Sequence, residues 1–117
     1  MSEWWGIPEG FYDRDGNPIP ILEWSDKSTT DYRLVARTQV APWVMVSTIW
    51  CGIPAPIMMP PPGLIFQTMV FTQGNALGPR TVYAMTLSEA IENHDIVARA
   101  MEIELHERQW EVSRVEA

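Results

Sequence analysis

Alternation dominates the middle of the chain. Trp43, Met45, Ser47, Ile49 and Cys51 fall on one side of a pleated backbone, and Val44, Val46, Thr48 and Trp50 on the other. That period of two predicts a β-strand over 43–51. Both sides are largely apolar, so the strand is expected at the centre of its sheet. Leu64–Thr72 predicts a second strong strand, and Tyr32–Val40 and Arg80–Met85 predict two more. The period then changes. Leu87, Ala90, Ile91, His94, Val97, Ala98, Met101 and Leu105 recur at steps of three and four, the spacing of one helix face. Glu89, Glu92, Asp95, Arg99, Glu102 and Glu107 fall on the other face. Thr86-Leu87-Ser88-Glu89 fits a capping box, so the predicted helix starts at Thr86 and runs to about Arg108.

The earlier segments are less regular. Met1–Gly10 is a Trp-rich arm broken by Pro8 and Gly10. Asp15-Gly16-Asn17-Pro18 is a turn signal flanked by Phe11-Tyr12 and Ile19, which predicts a small hairpin. Ile21–Lys27 suits one short helical turn. Gly52–Gly63 holds Pro54, Pro56, Pro60, Pro61 and Pro62 with Ile57, Met58 and Met59. Proline cannot donate to a ladder, so this is a loop, and its apolar residues must cover their own sheet or a partner. Gln73–Pro79 reads as a turn. The expected fold is α+β: a single domain over 1–117, an antiparallel β-meander of about four strands packed by a C-terminal amphipathic helix.

Composition narrows the function. The chain has 117 residues and a net charge of −7. Nucleic-acid binders draw much of their affinity from a basic surface, and here Lys27 and the arginines are scattered, so no nucleic-acid partner is expected. From Ser88 onward there are eight acids against three arginines. No stretch approaches the ~20 apolar residues of a spanning helix, and the polar N-terminus lacks a signal-peptide core. With Cys51 as its one cysteine, the chain is expected to be intracellular.

Catalytic signatures are weak. Asp13-x-Asp15-x-Asn17 starts like a calcium loop, but Pro18 stands where glycine is needed and Trp24 where an acid is needed. There is no nucleophile elbow, phosphate loop or paired-histidine zinc motif. Cys51 with His94 as base is a conceivable nucleophilic pair, yet nothing near Cys51 in sequence is electropositive. His94, on the apolar helix face, is expected to hydrogen-bond a strand carbonyl or a neighbouring side chain and so fix the helix register on the sheet; the alternative is a pocket-lining residue that titrates near neutral pH. No enzyme, cofactor or metal is expected.

Val46-Ser47-Thr48-Ile49-Trp50-x-Gly52, followed by Pro61-Pro62-Gly63-Leu64-Ile65-Phe66-Gln67-Thr68-Met69-Val70-Phe71, resembles a family of small uncharacterised tailed-phage proteins, known from phages of actinobacteria. The family reads VSTVWLGLDH, a Gly-rich loop, then PPLIFETMVF. Tyr12-Asp13-Arg14-Asp15-Gly16-Asn17-Pro18-Ile19 is similar to its YDxxGxPI opening, and Thr86-Leu87-Ser88-Glu89-Ala90 with His94 to its helix segment. The resemblance covers about 11–97. It implies a phage origin, the cytoplasm of the infected host cell and a shared fold, and no activity. The family's Asp-His pair after the strand glycine is missing here, where Gly52 is followed by Ile53-Pro54-Ala55-Pro56, and its glutamate is Gln67.

These observations lead to an expected non-enzymatic binding protein that acts on a host factor, in host takeover or anti-defence, or on itself as a homo-oligomer. Trp4, Trp5, Ile57, Met58 and Met59 are the candidate contacts. The alternatives are a small-molecule-sequestering protein, with Trp43 and Trp50 stacking on a nucleotide base and Arg33, Arg37 or Arg80 meeting phosphate, and a minor virion or assembly component.

Overall fold

The computed structural model describes residues 10–55, 59–72 and 80–116, with the side chains of 80 and 108–116 outside the description. The elements are α1 (Ile21–Ser28), a 3-10 turn (Asp31–Arg33), β1 (Leu34–Ala41), β2 (Val44–Trp50), β3 (Phe66–Thr72), β4 (Arg80–Ala84) and α2 (Leu87–Glu116). The strands form one antiparallel sheet in the order β1-β2-β3-β4. The fold is therefore an α+β meander packed by its C-terminal helix.

The alternation in β2 sets the layers. Val44, Val46, Thr48 and Trp50 are buried under α2, which contacts all four strands. Phe66, Thr68 and Val70 continue that face on β3. Two cores result. Val44, Val46 and Val70 pack with Ala98 and Met101, and Trp50, Ile65 and Phe66 pack with Tyr12, Ala84 and Ala90. β1 departs from simple alternation. Its register against β2 shifts between Leu34 and Ala36 and again between Gln39 and Ala41. Each bulge inserts one valine, Val35 and Val40, and both pack against the cores.

Several boundaries differ from the sequence expectation. Tyr32 lies in the 3-10 turn and not in β1. The helical turn at Ile21 extends to two turns, through Ser28. α2 continues past Arg108 to Glu116; the polar Arg108-Gln109 pair interrupts the apolar spacing, which Val112 and Val115 resume. Thr86 caps α2: its Oγ1 accepts from the Glu89 amide at 3.2 Å, and Glu89 reaches back to the Thr86 hydroxyl, which donates to Oε1 at 3.0 Å.

The hairpin at 11–19 docks on the end of β2. Tyr12 bridges Pro18, and Asp13 Oδ1 accepts from the amides of Asp15 and Asn17, both at 2.9 Å. The calcium-like segment is thus an Asx turn. Trp50 Nε1 donates to the Tyr12 carbonyl at 3.0 Å and Trp24 Nε1 to the Cys51 carbonyl at 2.8 Å. Arg14 clamps the same end. Its guanidinium donates to the carbonyls of Tyr32 and Leu34 and lies 4.7 Å from the centre of the Tyr32 ring. Residues 1–9 of the Trp-rich arm, residues 56–58 of the proline loop and residues 73–79, expected as a turn, lie outside the described residues.

Candidate functional site

Among the described residues, no helix or strand packs on the face of the sheet opposite α2, although Ser47 at its centre is buried among its neighbours. The register arranges its side chains in three rows across the strands: Leu34–Ile49–Gln67–Tyr83, Arg37–Ser47–Met69–Thr81 and Gln39–Met45–Phe71. No acidic residue stands in these rows, and Arg37 is their one charged group. Leu34 is 39% exposed, Phe71 48% and Tyr83 39%. Among the described residues, the one helix packed along the strands is α2, on the other side. Alternation within Leu64–Thr72 already put Gln67, Met69 and Phe71 on one side; sequence reasoning missed that α2 covers the other.

Beneath α2 lies a buried polar chain. His94 is 3% exposed. Its Nε2 is 2.9 Å from Thr38 Oγ1 on β1, and its Nδ1 is 2.8 Å from Thr48 Oγ1 on β2. Thr48 Oγ1 lies 2.7 Å from Thr68 Oγ1 on β3. In the neutral ring one nitrogen donates and the other accepts, so hydroxyl rotation satisfies the whole chain. Burial pushes the imidazole below its usual pKa, against a smaller opposite pull from Asp95. Both nitrogens are occupied, which ties the helix to three strands and leaves no free lone pair for catalysis.

Cys51 belongs to the other side. It follows β2 on the parity of Ile49, away from His94, and its Sγ contacts Gln67 Oε1 at 3.7 Å. Burial raises its pKa, and Arg33 offsets part of that rise. A Cys51–His94 couple is therefore not assembled.

Of the candidate nucleotide residues, Arg33 and Trp50 border one groove, while Trp43 and Arg37 lie elsewhere. Trp43 packs with the Val44 core at one end of β2, and Trp50 lies at the other, fully buried. A sealed ring offers no face to a base. Arg37 projects from the open sheet face, and the Arg80 side chain lies outside the description. Arg33 does join Trp24, Trp50, Cys51 and Ile53 around a groove of about 440 Å³. The Ser28 and Thr29 hydroxyls there already donate to the Ser25 and Asp26 carbonyls, so little beyond Arg33 remains to hold a phosphate.

Of the candidate contacts, Trp4, Trp5, Ile57 and Met58 lie outside the described residues, and Met59 is half-buried. The described flanks of the proline loop fold back on themselves: the Ala55 amide donates to the Leu64 carbonyl at 2.9 Å, and Pro54 and Ala55 are buried. A second apolar strip runs along the outside of α2, where Ile96 is 58% exposed and Ile103 54%; Glu92, Asp95 and Arg99 flank it.

Among the described residues no group of three or more His, Cys, Asp or Glu could hold a metal ion, and no helix is long and apolar enough to cross a membrane. No protein-family model, curated protein or solved structure matches this chain.

Proposed function

We propose that this protein is a non-catalytic binding module whose working surface is the open face of the sheet. The observation that carries the reading is the row pattern. Apolar side chains from all four strands face outward with no acid among them, on a chain whose net charge is −7. An antiparallel sheet with one solvated face ordinarily shows a polar outer set. Leu34, Phe71 and Tyr83 each stay more than a third exposed there, and exposed apolar groups gathered on one face mark a docking surface. The resemblance to phage proteins supports a role in the infected cell, on a host protein or on a second copy of the chain.

Affinity capture from cells, comparing two charge insertions, tests this. Phe71→Glu places a carboxylate on the open face, and Ile96→Glu places one on the outside of α2. The expected result is a partner held by the parent chain and by Ile96→Glu but lost with Phe71→Glu. Retention by Phe71→Glu, with loss by Ile96→Glu, would overturn the reading.

A further inference from the structure

We infer that the occupant of the open face is a second copy of this chain, docked sheet to sheet about a two-fold axis parallel to the strands. The inference rests on the binding-module reading and names its partner.

Charge segregation is the first argument. Two chains of −7 each repel unless they meet through a surface free of acid. The outside of α2 fails that condition, because Glu92 and Asp95 border its isoleucines. The open sheet face meets it, and docking there leaves both α2 helices on the outside, in solvent.

The axis follows from the register. Packed sheets keep their strands within about 30° of each other. A two-fold axis running along the strands keeps each row at its own level and lays β1 of one copy over β4 of the other. Arg37 then faces Thr81 of the second copy, with the Tyr83 ring one row away for a cation–π contact. Small Ser47 faces long Met69, and Met45 faces Phe71. An axis across the strands instead lays β1 on β1. Because Arg37 stands in the middle row, that arrangement drives two guanidinium groups together in an apolar interface.

The area suffices. Seven-residue strands at ~3.3 Å per residue and four strands at ~4.8 Å give a face of about 23 by 19 Å. Two such faces contribute about 900 Å² before side-chain relief is counted, close to the ~1,000 Å² that a specific interface needs.

Light scattering behind a sizing column, on the full chain over a concentration series, tests the inference. The expected mass is twice 13.3 kDa. Phe71→Glu should weaken the dimer by roughly tenfold or more, since it buries an unpaired carboxylate. Thr81→Glu should tighten it by about threefold, through a new pair with Arg37 of the second copy. Phe71 and Thr81 are both exposed in the single chain, so neither change disturbs the core. A parent chain that stays at 13.3 kDa up to high concentration overturns self-docking and leaves the face free for a different protein, so the two readings fail separately. Weakening by Thr81→Glu overturns the axis. A mass that grows beyond the dimer, or one indifferent to Phe71→Glu, overturns the closed sheet-to-sheet arrangement.

Discussion

His94 Nδ1 and Thr48 Oγ1, 46 residues apart in sequence, meet at 2.8 Å beneath α2. That contact, continued to Thr38 and Thr68, fixes where along the sheet the helix sits. His94→Leu keeps comparable volume but strips the threonine hydroxyls of their partner in a buried site. Leaving buried polar groups unsatisfied costs about 1–3 kcal/mol. Urea unfolding should show that loss with the slope of the transition unchanged. An unchanged midpoint would mean the hydroxyls re-pair among themselves.

The same histidine makes stability depend on pH. Its folded-state pKa lies below the ordinary 6.5 because of burial, against a smaller opposite pull from Asp95; its hydrogen-bond partners on the strands, Thr38 and Thr48, do not titrate. Above pH 6.5 the ring is neutral in both states, and the full stability is present. As pH falls below 6.5 the unfolded chain takes up a proton that the folded chain resists. Stability is therefore lost from about 6.5 downward, at up to ~1.4 kcal/mol per pH unit. Subtracting the profile of His94→Gln from that of the parent should isolate this slope. A difference curve that is flat between pH 7 and 5 would show that the ring titrates normally.

Gly52 closes the tryptophan end of the sheet. Its φ is +71°, and a Cβ there would lie 2.5 Å from Trp50 Cζ2 and 2.6 Å from Trp24 Cδ1. The Trp50-x-Gly52 spacing thus has a steric cause: both indoles close over a backbone that tolerates no side chain. Gly52→Ala combines a left-handed backbone with overpacking against two rings, and a loss of about 2–4 kcal/mol is expected. Near-ultraviolet circular dichroism should report the displaced indoles. A variant with the parent's spectrum and stability would contradict this packing.

Much of this was legible in the sequence because it is periodic. The two faces of β2, the inner face of α2 and the Thr86–Glu89 cap all follow from local spacing. The bulges at Val35 and Val40 were not legible, because a bulge keeps valine in the core while breaking the period that would reveal it. α1 has no buried residue along its length; it is held through Trp24, whose partner Cys51 is 27 positions away. His94 was recognisable as an anomaly on an apolar stripe, whereas its partners required the register of three strands. The open face escaped notice for a related reason. Alternation tells which residues share a side and not which side the helix will cover.

Cys51 offers a test of the electrostatics at the end of β2. Burial raises its pKa, and Arg33 pulls it partway back. The thiolate is the reactive species, so a raised pKa together with partial burial should slow modification by an aromatic disulfide reagent at pH 8. Reaction at least about tenfold slower than in the urea-unfolded chain is expected. Arg33→Gln removes the stabilising cation, raises the thiol pKa further and should slow the reaction again. Arg33 is exposed and lines the groove beside Cys51, so its guanidinium could also act as a steric shield. The two effects have opposite signs. Faster labelling of Arg33→Gln would show that shielding outweighs charge, and slower labelling that the guanidinium governs the thiol through its field.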